Sequence, residues 1–256
     1  MARLDIRMFP CLSDNYGVLI KELDSGAAAA IDAPDGTAVI EAAEAAGWDL
    51  THILVTHSHA DHVQGIEAVK ARFGCRVVGP KGEADSIPGI DDTVAHGDRY
   101  AFGGLTAEII ETPGHTTAPA TWYFPEADVV FTGDTLFALG CGRVFTGSME
   151  DMWESLQKLA RLPKETLVYC GHEYTVANAK FALTIEPHNH HLQARADEAN
   201  RKRSEGEPTL PTTIGGELLA NPFMRADRPE VADAVGMTGA DPAKVFAEIR
   251  RRKDAF

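Results

Sequence analysis

Apolar and polar residues alternate along the chain in two rhythms. In "YGVLIKELDSGAAAAIDAP" two apolar runs flank Asp24-Ser25-Gly26, the pattern of a hairpin. "GTAVIEAAEAAGW" places Val39, Ile40, Ala43 and Ala46 at helical spacing and closes on Gly47. "HILVT" predicts a short buried strand, "IEAVKARFG" a helix ended by Gly74, and "CRVVGP" another strand. "LTAEIIETPGHT" contains a strand that stops at Pro113-Gly114. "DVVFTGDT" and "TLVYCGHE" each hold a β-rich apolar run before a turn. Between them, Ser148 and Asp151 form a capping-box pattern ahead of a helix with Met152, Trp153, Leu156 and Leu159 on one face.

This alternation predicts layered α/β architecture up to about residue 175. The character then changes. "VANAKFALTIEPHNHHLQARADEANRKRSEGE" is rich in helix formers, and "DPAKVFAEIRRRKDAF" reads as a final helix opened by Asp241-Pro242. The expected division is an α/β domain over residues 1–174 and a smaller helical C-terminal domain over 175–256.

Composition narrows the classes of function. The 256 residues carry 44% hydrophobic and 24% charged side chains, enough for a substantial core. A formal charge of −14 disfavours nucleic acid and anionic lipid as partners. No apolar stretch has the length of a membrane span. Asp5 and Arg7 interrupt any signal-like apolar start, so a cytoplasmic location is expected, with no membrane partner. Cys11, Cys75, Cys141 and Cys170 are scattered without a CxxC pair, which suits buried free thiols better than a disulfide scaffold. One local exception to the acidity is Arg250-Arg251-Arg252-Lys253, a basic run suited to an anionic small molecule.

The coordinating residues fall in a pattern. His57, His59, Asp61 and His62 follow "ILVT", His115 follows "EIIETPG", Asp134 follows "VVFTG", and His172 follows "LVYCG". Each group lies just beyond the C-terminal end of a strand, where the loops of open α/β sheets build binding crevices. Imidazoles and carboxylates are the usual ligands of zinc and related divalent metals. Two ions fit this donor count. Asp134, with two oxygens, can bridge them, His115 completes one shell and His172 the other. A hydroxide shared between the ions would be the nucleophile, since coordination lowers the pKa of water toward about 7. "EPHNHHL" also looks metal-like, but its place after Pro187 reads as a solvated helix start.

"THSHADH" matches the HxHxDH motif of the metallo-β-lactamase superfamily. "DNYGVLI", "ETPGHT", "FTGDTLFALGCGR", "GHEYT" and "NPFMR", in that order, resemble the glyoxalase II group, the hydroxyacylglutathione hydrolases, over nearly the whole chain. The resemblance implies an αββα sandwich with a helical C-terminal domain, and hydrolysis of S-(2-hydroxyacyl)glutathione, notably S-D-lactoylglutathione, to D-lactate and glutathione. Carried over, one metal takes His57, His59, His115 and Asp134, and the other Asp61, His62, His172 and Asp134, with Asp61 and Asp134 also counted as catalytic. Zinc is the first choice, with iron or manganese also suited. Arg143, Phe145, Tyr174, Arg250 and Lys253 fall on the glutathione-binding positions. At helical spacing Arg250 and Lys253 share a face, which Arg251 and Arg252 do not. The partner implied is a small-molecule glutathione thioester, and a monomer is expected.

Two departures accompany the resemblance. Ala118-Pro119 stands where a Gly-His pair is common, and Phe145 stands where some members carry a tyrosine. The runner-up reading is another enzyme of the superfamily, such as a mononuclear-iron glutathione persulfide dioxygenase. A catalytically silent metal-binding scaffold is a third.

Overall fold

A computed structural model describes residues 4–256. They pack as two compact units. One runs through Glu111 and resumes over Ala118–Gly133; the other comprises Thr112–Thr117 and Asp134–Phe256.

In the first unit, β1 (Leu4–Cys11), β2 (Asn15–Glu22), β3 (Ala28–Ile31), β4 (His52–Leu54), β5 (Arg76–Pro80) and β6 (Asp92–Val94) form a mixed sheet in that spatial order. The expected hairpin around Asp24-Ser25-Gly26 joins β2 to β3, whereas β1, which no apolar run marks, pairs with β2 in a long hairpin around Leu12–Asp14, with Leu4 facing Glu22 and Cys11 facing Asn15. From β3 onward the pairing is parallel; α1 (Gly36–Ala46) crosses from β3 to β4, α2 (Ala60–Val63) and α3 (Ile66–Phe73) from β4 to β5, and a 3-10 turn over Lys81–Ser86 leads from β5 toward β6. Asp35 caps α1 by accepting from the backbone of Thr37 and Ala38, and Gly47 ends it in the left-handed conformation. Val39 and Ala43 of α1 and Ile66 and Val69 of α3 join Leu19, Ala28, Ala30, Ile53, Val55 and Val77 of the sheet in one buried cluster. The same unit holds an antiparallel meander of β7 (Arg99–Phe102), β8 (Leu105–Glu111), β9 (Ala120–Phe124) and β10 (Val129–Gly133). Trp122 of β9 is fully buried and donates its indole N–H to the carbonyl of Val55 at 3.0 Å, and Phe102 packs edge-on to His52 of β4. Parallel pairing of β3, β4 and β5 makes their C-terminal ends share one edge, as the donor pattern requires.

The second unit begins with the hairpin β11 (Leu136–Phe137) and β12 (Gly140–Cys141), then α4 (Met149–Ala160). The predicted Ser148–Asp151 capping box opens α4, and Met152, Trp153, Leu156 and Leu159 are its buried face. Next come β13 (Leu167–Cys170), α5 (Thr175–Ile185), α6 (His190–Ser204), β14 (Thr212–Thr213), α7 (Ile214–Ala220), α8 (Pro229–Ala234) and α9 (Pro242–Asp254). β13 pairs antiparallel with the short β14. Leu139 of the hairpin turn packs with Ala179 and Ala182 of α5, Leu192 and Ala196 of α6 and Ala220 of α7. Asn189 caps α6, so His190 and His191 are a solvated helix start. No helix among the described residues is long and apolar enough to cross a membrane.

Candidate metal centre

In the first unit, the chain leaves β4, delivers His57, and turns into α2 with His59 at the N-cap position. His57 Nε2 and His59 Nδ1 lie 3.2 Å apart. Asp61 and His62 belong to the one-turn helix that follows, with Asp61 Oδ2 3.8 Å from His62 Nε2. Asn15 donates from Nδ2 to both the backbone oxygen and Oδ2 of Asp61, each at 3.1 Å, which fixes that carboxylate.

Asp32 organises these donors, and the sequence reading missed it. It stands directly after β3, is 5% exposed, and adopts φ 59°. Its Oδ1 accepts from the Thr56 N–H at 2.6 Å, and its Oδ2 accepts from the Thr56 hydroxyl at 2.7 Å and from Nδ1 of His62 at 2.8 Å. A carboxylate can only accept, so His62 carries its proton on Nδ1. Because the Thr56 hydrogen goes to Asp32, the Thr56 oxygen receives the Nδ1–H of His57 at 3.0 Å. Both rings are thereby set to present a lone pair on Nε2, the arrangement usual in metal-binding histidines. One nitrogen of each ring and one oxygen of Asp32 lie within 4.8 Å of one another. The signal was available: Asp32 ends "AAAAI" just as His57 follows "ILVT". Gly133 allows Thr56 this position. With φ 49°, a Cβ at Gly133 would come within 2.5 Å of Thr56 Oγ1.

The second unit brings together the other three predicted donors, all buried. Asp134 Oδ2 lies 3.4 Å from His115 Nε2 and 3.2 Å from His172 Nε2. His115 Nδ1 donates to the carbonyl of Arg143 at 2.7 Å, again leaving the lone pair on Nε2. That bond explains "GCGR": a side chain at Gly142 would collide with the carbonyl oxygen of Asp134, so only glycine lets the strand pass this close. Asn221 donates to the carbonyls of Phe137 at 3.3 Å and Gly140 at 2.9 Å, Asn178 donates to that of Ala138 at 3.1 Å, and Glu217 accepts from Leu139 N–H at 2.8 Å. The hairpin beside Asp134 is thus held from below by polar groups. Sequence reading missed these, because their partners are 40 to 84 residues away.

The donor spacing is that of a metal site. Two ligands bound tetrahedrally at about 2.0–2.2 Å from one ion lie about 3.3–3.6 Å apart. The His57–His59, His115–Asp134 and His172–Asp134 separations, 3.2, 3.4 and 3.2 Å, match that to within about 0.1 Å. The His/Asp clusters fit divalent metal ions by chemistry as well as by spacing.

The predicted glutathione residues all lie in the second unit. Arg143 is exposed and its guanidinium stands 5.5 Å over the ring of Phe145. Phe145, 57% exposed, meets the His115 ring edge-on, and Tyr174 stacks on His172 at 4.7 Å. Arg250 is turned inward. It is 5% exposed, donates to the Cys141 carbonyl at 3.0 Å, and pairs with Asp254 at 2.9 Å. Arg143 Nε lies 3.8 Å from the same Asp254. Lys253 is half-buried, donates to the Ala177 carbonyl at 3.3 Å, and sits 5.4 Å from the rings of Phe181 and Phe256. Burial, and then the Arg250 charge, pull its pKa below the ordinary lysine value. Arg251 and Arg252 instead engage Glu248, so the basic run divides as helical spacing predicts. Burial pushes the Cys141 thiol up to about 11 and Cys170 to about 12, so both are neutral packing groups.

A sheet-and-helix scaffold that ends its strands in such His/Asp clusters defines the class: the metallo-beta-lactamase superfamily, whose family model matches residues 23–172. The BLEG-1 B3 metallo-beta-lactamase crystal structure shares the fold, with TM-score 0.67 over 86% of this chain and 99% of its own at 22% identity. A second family model, the hydroxyacylglutathione hydrolase C-terminus, matches residues 173–256. Relatives named hydroxyacylglutathione hydrolase from Rhizobium meliloti and Rhodospirillum rubrum are 52% and 51% identical, over 100% of this chain and 100% of each of theirs. The chain belongs to the hydroxyacylglutathione hydrolase family.

Proposed function

We propose that the protein hydrolyses the thioester of S-(2-hydroxyacyl)glutathione, S-D-lactoylglutathione foremost, to a 2-hydroxy acid and glutathione. The observation that carries this is full-length identity of 52% to a hydroxyacylglutathione hydrolase, spanning both the donor-bearing strands and the helical tail. It favours this reading over an iron dioxygenase of the same superfamily. His57, His59, His115 and Asp134 would hold one divalent ion, and Asp61, His62, His172 and Asp134 a second, zinc first with iron or manganese also suited. Such ions, when bound, supply hydroxide at neutral pH and positive charge for the tetrahedral oxyanion.

The chain's own residues do the rest. Asp32, through Thr56 and directly, keeps the Nδ1 protons of His57 and His62 in place. The Arg143 carbonyl does the same for His115. Glutathione is a net anion, and Arg143 and Lys253 are cations that can meet its carboxylates, with Tyr174 and Phe145 as aromatic walls. Arg250, buried against Cys141 and Asp254, carries the same charge from beneath. Residues 175–256 act as the substrate-binding region of a cytoplasmic monomer. The glutathione thiol, with a parent pKa near ~8.5, leaves as thiolate without a strong general acid. The test is loss of thioester absorbance on adding metal-loaded protein to S-D-lactoylglutathione. Turnover with release of one free thiol per thioester is expected; oxygen uptake with glutathione persulfide, without thioester cleavage, would overturn the reading.

A further inference from the structure

Glu83 is a charged side chain, 6% exposed, outside the donor set. It lies in a short 3-10 helix, Lys81–Ser86, directly after β5, and so at the same strand edge as the loop that follows β4. Its two oxygens are used separately. Oε2 accepts from the Ser58 N–H at 2.8 Å and Oε1 from the Ala118 N–H at 3.2 Å. Ser58 is the one residue between His57 and His59, so the direction of its N–H fixes the peptide plane that leads from His57 toward His59. Ala118 lies just before β9. Pro119 has no N–H, and the next donor, Ala120 N–H, goes to the Thr56 carbonyl at 2.7 Å. The histidine loop is therefore tied to the start of β9 at Thr56 directly and at Ser58 through Glu83. Gly82 permits this approach, since a Cβ there would lie 2.5 Å from that of Ala118.

We propose that Glu83 is a positioning residue that fixes the His57–His59 pair at metal-binding separation by bridging two backbone N–H groups with one carboxylate. The proposal rests on the hydrolase reading above. Each of the two N–H groups takes its own oxygen of Glu83, an arrangement a carboxylate supplies; an amide in the same place would turn an NH₂ toward one of them. The demand on geometry is strict, because ligand distances tolerate only about 0.2 Å. The bridge also gives a use to Ala118-Pro119: with proline next, Ala118 N–H is the one donor of that pair, and Glu83 takes it.

The test compares the metal-loaded wild type with Glu83→Gln and Glu83→Ala. Three quantities are read: kcat and KM for S-D-lactoylglutathione, metal retained against increasing chelator, and melting temperature. Glu83→Gln is expected to fold, to lose about tenfold in kcat (about 1.4 kcal/mol) with KM within twofold, and to release metal at about tenfold lower chelator. Wild-type kcat and metal retention in Glu83→Gln would overturn the proposal. So would a fall in melting temperature alone, with unchanged kcat and metal retention below it. Should Glu83→Ala fail to fold, the isosteric variant decides. A wild type that holds metal but does not cleave the thioester would sink the hydrolase reading, while the chelator comparison would still decide the role of Glu83.

Discussion

Replacing Asp32 by Asn changes one atom and no volume, yet it should weaken metal binding strongly. The position has φ 59°, which asparagine tolerates better than other side chains, so the backbone should survive. The new amide keeps one acceptor, and Thr56 N–H at 2.6 Å takes it. Its NH₂ then faces the Thr56 hydroxyl and His62 Nδ1, now 2.7 and 2.8 Å from Oδ2. A donor there cannot accept from His62, so the ring must move its proton to Nε2, the end needed for a metal. Thr56, no longer donating to a carboxylate, is free to donate to His57 and reverse that ring too. Each bond to a charged acceptor contributes about 1.5–3 kcal/mol. Loss of such a partner typically costs 10- to 100-fold in metal affinity, or about 1.4–2.7 kcal/mol. Competition with a chromophoric chelator measures the affinity, and ring ¹⁵N shifts of metal-free protein report the tautomers. Wild-type affinity together with Nδ1-protonated His57 and His62 in Asp32→Asn would refute the reasoning.

Other consequences concern the substrate side. Lys253→Ala should raise KM about fivefold, the effect of about 1 kcal/mol for a half-exposed charge, and leave melting temperature nearly unchanged. Arg250→Ala should raise KM and also lower melting temperature, because it removes a buried side chain that serves the Cys141 carbonyl and is the nearer of two arginine partners of Asp254; thermal melts of the two variants side by side check the contrast. Phe145→Tyr restores a hydroxyl and should lower KM by about 2- to 12-fold, for a bond of about 0.5–1.5 kcal/mol, with kcat unchanged in steady-state assays. The depressed pKa of Lys253 sets a pH signature. Its charge is lost below the usual lysine pKa of 10.5, so KM should climb as pH rises through that lower value, and Lys253→Arg should abolish the climb. The unfolded chain binds the proton more tightly in that window, so this group makes the fold more stable as pH rises there, and a rise in KM cannot be ascribed to its unfolding.

How much of this was readable in the chain follows from the range of each interaction. α1, α3, α4 and α9 were legible because their caps and apolar faces are local; Ser148 and Asp151 meet within one helical turn. The donors were legible because the ends of strands can be seen from apolar runs, and metal chemistry restricts the residue types. β1 was not, since "LDIRMFPC" has half-buried residues and gains its regularity from β2. β9, "ATWYF", is too short to read beside the turn that precedes it. Glu83 and Glu217 act through partners 25 and 78 residues distant, and nothing local distinguishes them from surface acids; Asp32 acts through Thr56, 24 residues away, and only its place after an apolar run marks it. The inward turn of Arg250 is likewise decided by Asp254 and Cys141 rather than by the basic run itself.

The central claim is that seven side chains hold two divalent ions which the hydrolysis needs. Titrating metal-free protein with zinc and assaying S-D-lactoylglutathione hydrolysis in the same samples tests it most directly. Activity should climb to a plateau at two equivalents per chain. A plateau at one equivalent, or full activity before any metal is added, would contradict the account.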